Sequence, residues 1–90
     1  MAQDKLELGD LELDIFKIAN KDRPFLVKVV AHLDRKFFET RILSKAFTIY
    51  KVFFEKFGKT PTSRILKKEL LKTGEEESKV EKYVDYIFDD

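Results

Sequence analysis

The chain has no cysteine and no tryptophan, and among its 90 residues there are only one methionine, one histidine, two prolines and three glycines. Without cysteine there is no disulfide framework and no thiolate site for zinc or redox chemistry, and a reducing, cytoplasmic location is the expectation. A single histidine, His32, excludes a His-His metal pair, and with no GxSxG elbow no Ser-His-Asp triad is expected. So little proline and glycine excludes a collagen-like or linker-like chain. Nowhere do about 18 uncharged residues follow one another, and the opening Met1-Ala2-Gln3-Asp4-Lys5 carries an acid early, so neither a membrane span nor a signal peptide is expected.

What the chain does have is 43% hydrophobic and 39% charged residues, enough of the first to build a core and of the second to keep its surface wet. At this length one domain with one core is expected, spanning residues 1–90. The net charge of +1 conceals an ordering along the chain. Residues 1–22 hold three basic and six acidic side chains, residues 23–74 thirteen and four, and residues 75–90 two and seven. Such an acidic-basic-acidic chain neutralises itself within one fold, pairs head to tail with a copy, or leaves a basic face uncovered for nucleic acid.

Helical periodicity dominates. Leu11, Ile15, Ile18 and Ala19 after Asp10, an N-cap residue, predict a first helix over about 11–20, with the partial alternation of Leu6, Leu8, Leu11 and Leu13 as a strand-like complication. Asp22-Arg23-Pro24 reads as the start of a second helix, with Phe25, Leu26, Val29, Val30 and Leu33 inward and His32 at its solvent edge. Phe37 or Phe38 is expected to plug the core ahead of the strongest signal, residues 41–57. There Ile42, Leu43, Ala46, Phe47, Ile49, Tyr50, Phe53, Phe54 and Phe57 cover an arc of roughly 160°, wider than the ~100° of an ordinary surface helix. That width predicts a central element packed on more than one side, its apolar face used up within the fold, with Arg41, Ser44, Lys45, Thr48, Lys51 and Glu55 opposite. Phe47→Ala or Phe53→Ala is then expected to cost about 3 to 5 kcal/mol.

Gly58 stops this helix, and Lys59-Thr60-Pro61-Thr62 turns the chain into a fourth, about 62–73, with Ile65, Leu66 and Leu70 inward and Gly74 at its end. Glu75, Glu76 and Glu77 suit the positive end of a last helix whose inward residues are Val80, Tyr83, Val84, Ile87 and Phe88. The fold class is therefore all-α, a compact bundle of about five helices around the aromatic-rich helix 41–57. The end of the chain at Asp90, directly after this helix, is expected of a piece of a longer protein.

Two stretches resemble known sites but fail on spacing. Gly58-Lys59-Thr60 has the ending of a phosphate-binding loop, but Phe53 stands where its first glycine belongs and a helix rather than a strand precedes it. Asp10, Glu12 and Asp14 have the opening spacing of a calcium loop, yet Ile15 replaces its glycine and no closing glutamate follows; they read as helix N-terminal charges. No carboxylate lies in an apolar run that would raise its pKa for acid-base work, so no catalytic residue, metal or cofactor is expected. Surface remains. Val52 and Tyr86 lie off the apolar stripes of their helices and are candidate anchors, and Arg64, Lys67, Lys68 and Lys72 form a basic cluster suited to an acidic partner or a nucleic acid backbone.

The run Lys36-Phe37-Phe38-Glu39, then Ala46-Phe47, Ile49-Tyr50, Phe53, Phe57-Gly58-Lys59-Thr60-Pro61-Thr62 and Leu66-Lys67-Lys68-Glu69-Leu70, resembles the N-terminal domain of DnaB-type replicative helicases, in particular those of tailed phages. The resemblance spans roughly residues 11–88 and is made of apolar positions and one proline turn. It implies a collar domain that supports assembly of a hexameric ring and contacts other helicase subunits, primase or the helicase loader in the host cytoplasm. DNA contact would be indirect. ATP hydrolysis would belong to a separate RecA-like domain, so no catalytic residue carries over and this chain is not expected to be an enzyme. Two other readings stand beside it: a basic nucleic-acid-binding module, and the helicase-binding domain of a primase, which resembles the helicase head in fold.

Overall fold

Asp22, between two helices, shows how locally the chain is punctuated. Its carboxylate accepts from the Phe25 N–H at 3.2 Å and Pro24 occupies the first turn, where a missing N–H leaves no helical bond unmade. The computed structural model describes residues 2–88, with side chains described over residues 11–88. Five α-helices follow one another: α1 (Ala2–Lys21), α2 (Arg23–His32), α3 (Arg41–Phe57), α4 (Ser63–Lys72) and α5 (Glu77–Phe88). A 3-10 turn, Arg35–Phe37, joins α2 to α3, and there is no strand among the described residues. The all-α bundle expected from the periodicity is therefore present.

The expected boundaries hold closely for α2 through α5, because each has a local stop or start. Gly58 ends α3 in the left-handed region (φ 72°), where its N–H reaches the Phe54 carbonyl at 2.7 Å and a side chain would be strained. Thr62 caps α4 by accepting from the Ile65 N–H at 3.2 Å. Asp34 does the same for the 3-10 turn, accepting from the Lys36 N–H at 2.9 Å.

The first helix differs from expectation in extent and in phase. It starts at Ala2, so Asp10 lies within it and is no N-cap, and the backbone carrying Leu6, Leu8, Leu11 and Leu13 is helical. Side chains before residue 11 lie outside the described residues. Leu13, Phe16 and Ala19 face the core, whereas Leu11 and Ile18 are 61% and 46% exposed. Phe16 sets this phase. Its large ring packs 5.2 Å from Phe38 and edge-on 5.0 Å from Tyr50, and seating it turns Leu11 and Ile18 outward.

Phe38 is the plug: it is buried and stacks on Phe47 at 5.3 Å, while its neighbour Phe37 stays half exposed. Around this aromatic centre, α1 packs on α2 and α5, α4 on α5, and α3 on α4, α2 and the 3-10 turn. One polar thread crosses the core. Tyr50 Oη donates to Asn20 Oδ1 at 2.8 Å, and Asn20 Nδ2 donates to the Ile87 carbonyl at 3.4 Å, joining α3, α1 and α5.

Two glutamates have roles that their positions in the sequence do not announce. Glu12 is no N-terminal helix charge; buried on α1, it accepts from the Glu39 and Thr40 N–H groups at 3.2 and 3.3 Å. It thereby caps α3, whose own N-cap residue Thr40 makes no side-chain capping bond. Glu75 precedes α5 but belongs to α3: its side chain, 2% exposed, receives Lys45 Nζ at 2.6 Å and Arg41 Nε at 3.2 Å. Arg41 and Lys45, on the face opposite the apolar arc as expected, clasp the α4–α5 connection onto α3, Arg41 while largely exposed and Lys45 while also reaching the Thr73 carbonyl at 3.2 Å. Lys45, and then Arg41, hold the Glu75 carboxyl below the usual glutamate value, against the opposing effect of its burial.

Candidate interaction surface

The apolar arc of α3 divides in two. Ile42, Leu43, Ala46, Phe47 and Tyr50 are buried in the core. Toward the C-terminal end the packing thins: Phe53 and Phe54 are half-buried, and Phe57 is 60% exposed. The expectation that this face is used up within the fold is therefore corrected. The reason is geometric. Gly58 and the Pro61 turn reverse the chain, so only the start of α4 lies beside the last two turns of α3, and on that side it supplies one apolar side chain, Ile65.

What results is a shallow groove between α3 and α4. Ile49, Val52, Phe53 and Phe57 form one wall at the helical spacing i, i+3, i+4, i+8, and Ile65 with Glu69 forms the other. Phe53 and Phe57 touch, ring centroids 4.6 Å apart and planes inclined by 47°. Val52, 49% exposed, is the crest of this wall. It also borders a second, more polar depression with Asp34, Arg35, Lys51 and Glu55.

The basic cluster lies beside the groove. Ile65, Lys68, Glu69 and Lys72 share one stripe of α4, and Arg64, Lys67, Lys68 and Lys72 surround the exposed Leu71 one step further round the helix. Glu69 is the acid of α4, and it is paired with Lys72 at 3.3 Å. Arg64, Lys67 and Lys68 make no ion pair within the described residues. Lys56 adds a further cation from α3 at the groove's edge.

Of the residues singled out from sequence, Val52 lines the groove, and Arg64, Lys67, Lys68 and Lys72 line a separate depression around Leu71 on α4. Tyr86 does not join them. It stands on α5 against α1, its ring 4.6 Å from Lys17 Nζ and its hydroxyl donating to Asp14 Oδ1 at 3.4 Å. Phe57, Phe53 and Ile65 were missed as surface because helical spacing reports which residues share a face, not whether a neighbour covers it.

The described residues contain no group of three or more His, Asp or Glu side chains placed to hold a metal ion. No described helix is long and apolar enough to cross a membrane. Searches of family models, curated proteins and solved structures give no match to this chain.

Proposed function

We propose that this chain is a non-catalytic protein-interaction domain, the head of a DnaB-type replicative helicase of the tailed-phage kind, serving ring assembly and the docking of primase or helicase loader during DNA replication. The observation that carries the interaction reading is the apolar end of α3, left open as a groove beside a basic α4. Exposed apolar surface rimmed by polar groups is what protein-binding faces present, with a few aromatic anchors supplying most of the affinity. The helicase part rests on the resemblance. Of the residues that carry it, Phe38, Phe47, Tyr50, Pro61, Leu66 and Leu70 are buried, so the likeness is one of core and turn, and the surface selects the partner.

The test is direct. The chain is mixed with the cognate primase and loader and analysed by sedimentation velocity, and its deletion from the parent helicase is scored for ring assembly and priming. Binding together with impaired assembly or priming supports the reading; no binding and intact assembly overturn it. A RecA-like domain encoded beyond Asp90 supports a helicase, whereas a primase catalytic domain encoded upstream supports the primase alternative.

The cluster of Arg64, Lys67 and Lys68, without ion pairs among the described residues, favours a second reading as a basic nucleic-acid-binding module. A DNA titration at two salt concentrations separates the two, because phosphate binding releases counterions and weakens steeply with salt.

A further inference from the structure

We infer that the α3–α4 groove is built for an amphipathic helix of a partner protein that presents apolar side chains along one face and carboxylates along its edge. This rests on the reading of the chain as a protein-binding domain and adds to it the site and the chemistry of the occupant. The groove lies between two helices, and its apolar wall runs from Ile49 to Phe57, a rise of about 12 Å. That length matches about two turns of a docked helix, which would place three anchors at i, i+3 or i+4, and i+7 against Ile49, Val52, Phe53, Phe57 and Ile65.

Charge decides the sign of the occupant. Lys56 lines the groove on α3, and Lys68 lies next along the α4 surface, with Arg64 and Lys67 further round that helix. Glu69 is the acid lining the groove, and Lys72 already neutralises it. A helix edged with glutamates or aspartates meets Lys56 in the groove and the cations of α4 beside it, whereas one edged with lysines meets like charge, and rejecting the wrong partner by repulsion is a recognised source of specificity. A nucleic acid would satisfy the cations but leave the aliphatic wall of Ile49, Val52 and Ile65 uncovered. The two rings in the groove pack on each other at an angle and offer no parallel platform for stacked bases.

The probe is a fluorescein-labelled peptide of about 18 residues, long enough to hold a helix, with leucines at i, i+4 and i+7 and glutamates flanking them. A second peptide carries lysine for every glutamate. Anisotropy titrations with the full chain are expected to give at least about tenfold tighter binding of the glutamate peptide, and the preference is expected to shrink with salt. Val52→Glu, at an exposed position that leaves the fold intact by circular dichroism, is expected to weaken that binding at least about tenfold. Lys68→Glu, also at an exposed position, is expected to narrow or reverse the preference between the two peptides.

Equal binding of both peptides, absence of binding, or indifference to Val52→Glu overturns the inference. So does sedimentation showing that the chain self-associates through this face and is dispersed by Val52→Glu, since the occupant is then a second copy. Tight, Val52-dependent binding of a single-stranded oligonucleotide overturns it as well. If primase or loader still binds a Val52→Glu chain at full strength, the groove assignment falls while the protein-binding reading stands.

Discussion

Phe53 and Phe57, one turn apart on α3, lie with their rings 4.6 Å from each other at the open end of the helix, and Phe57 remains 60% exposed although it continues the same apolar arc as the buried Phe47. The arc thus serves two purposes, core at its start and surface at its end. Truncations along it should separate accordingly. Phe47→Ala, removing a ring 2% exposed, is expected to cost about 3 to 5 kcal/mol. Phe57→Ala is expected to cost under about 1 kcal/mol, within the range of surface substitutions. The half-buried Phe53 should fall between, below the value that periodicity alone predicts. Urea denaturation midpoints at constant m-value check the order.

Tyr50 and Asn20 provide a second test. The phenol is buried and its hydroxyl bonds Asn20 Oδ1 at 2.8 Å, so Tyr50→Phe leaves a partly buried amide without its donor and is expected to cost about 1 to 3 kcal/mol. Burial pushes the Tyr50 phenol well above its ordinary value. The native state therefore holds this proton more tightly than the unfolded chain. Its contribution to stability is fully present below the unfolded tyrosine value and is lost as pH rises toward the folded one. Ultraviolet titration should show Tyr50 ionising only as the protein unfolds at high pH, and Tyr50→Phe should flatten that alkaline loss.

Glu75 has the opposite sign. Its carboxyl is held below the usual glutamate value by Lys45 first and Arg41 second, so the native state binds its proton less tightly than the unfolded chain. The stabilisation is present above the unfolded value and disappears as pH falls through the folded one. Glu75→Gln should therefore be less stable than the natural chain at neutral pH, with the gap closing in acid. Paired thermal melts of the two chains across that range measure it.

Glu12 acts as a cap supplied from another helix. Glu12→Ala is expected to cost about 0.5 to 2 kcal/mol, the range measured for lost N-caps, because Thr40 offers no side-chain replacement. Amide hydrogen exchange should show the loss first at Glu39 and Thr40.

These cases also show what could be read from the chain. The second helix, α3, the Gly58 stop and the start of α4 were legible because their determinants lie within a few residues: Asp22 with Pro24, a continuous aromatic arc, a left-handed glycine, Thr62 after Pro61. The roles of Glu12 and Glu75 were not, since their partners are 27 to 34 residues away and nothing local distinguishes a capping or clasping carboxylate from a solvated one. The phase of α1 escaped for a related reason: seating Phe16 against Phe38 and Tyr50 is a tertiary decision. The candidate surface was half legible. Val52 and the basic residues of α4 stood out by composition, but the open end of α3 depends on where the Gly58–Pro61 reversal leaves the chain uncovered.

The central claim is that this domain binds protein through the α3–α4 groove, and the most direct measurement is sedimentation velocity of the natural chain and of Val52→Glu, each mixed with the cognate primase and with the loader. The natural chain is expected to co-sediment with at least one of them and Val52→Glu, equally folded, with neither. Equal complex formation by both chains would contradict the groove, and no complex with either partner would contradict the proposed function.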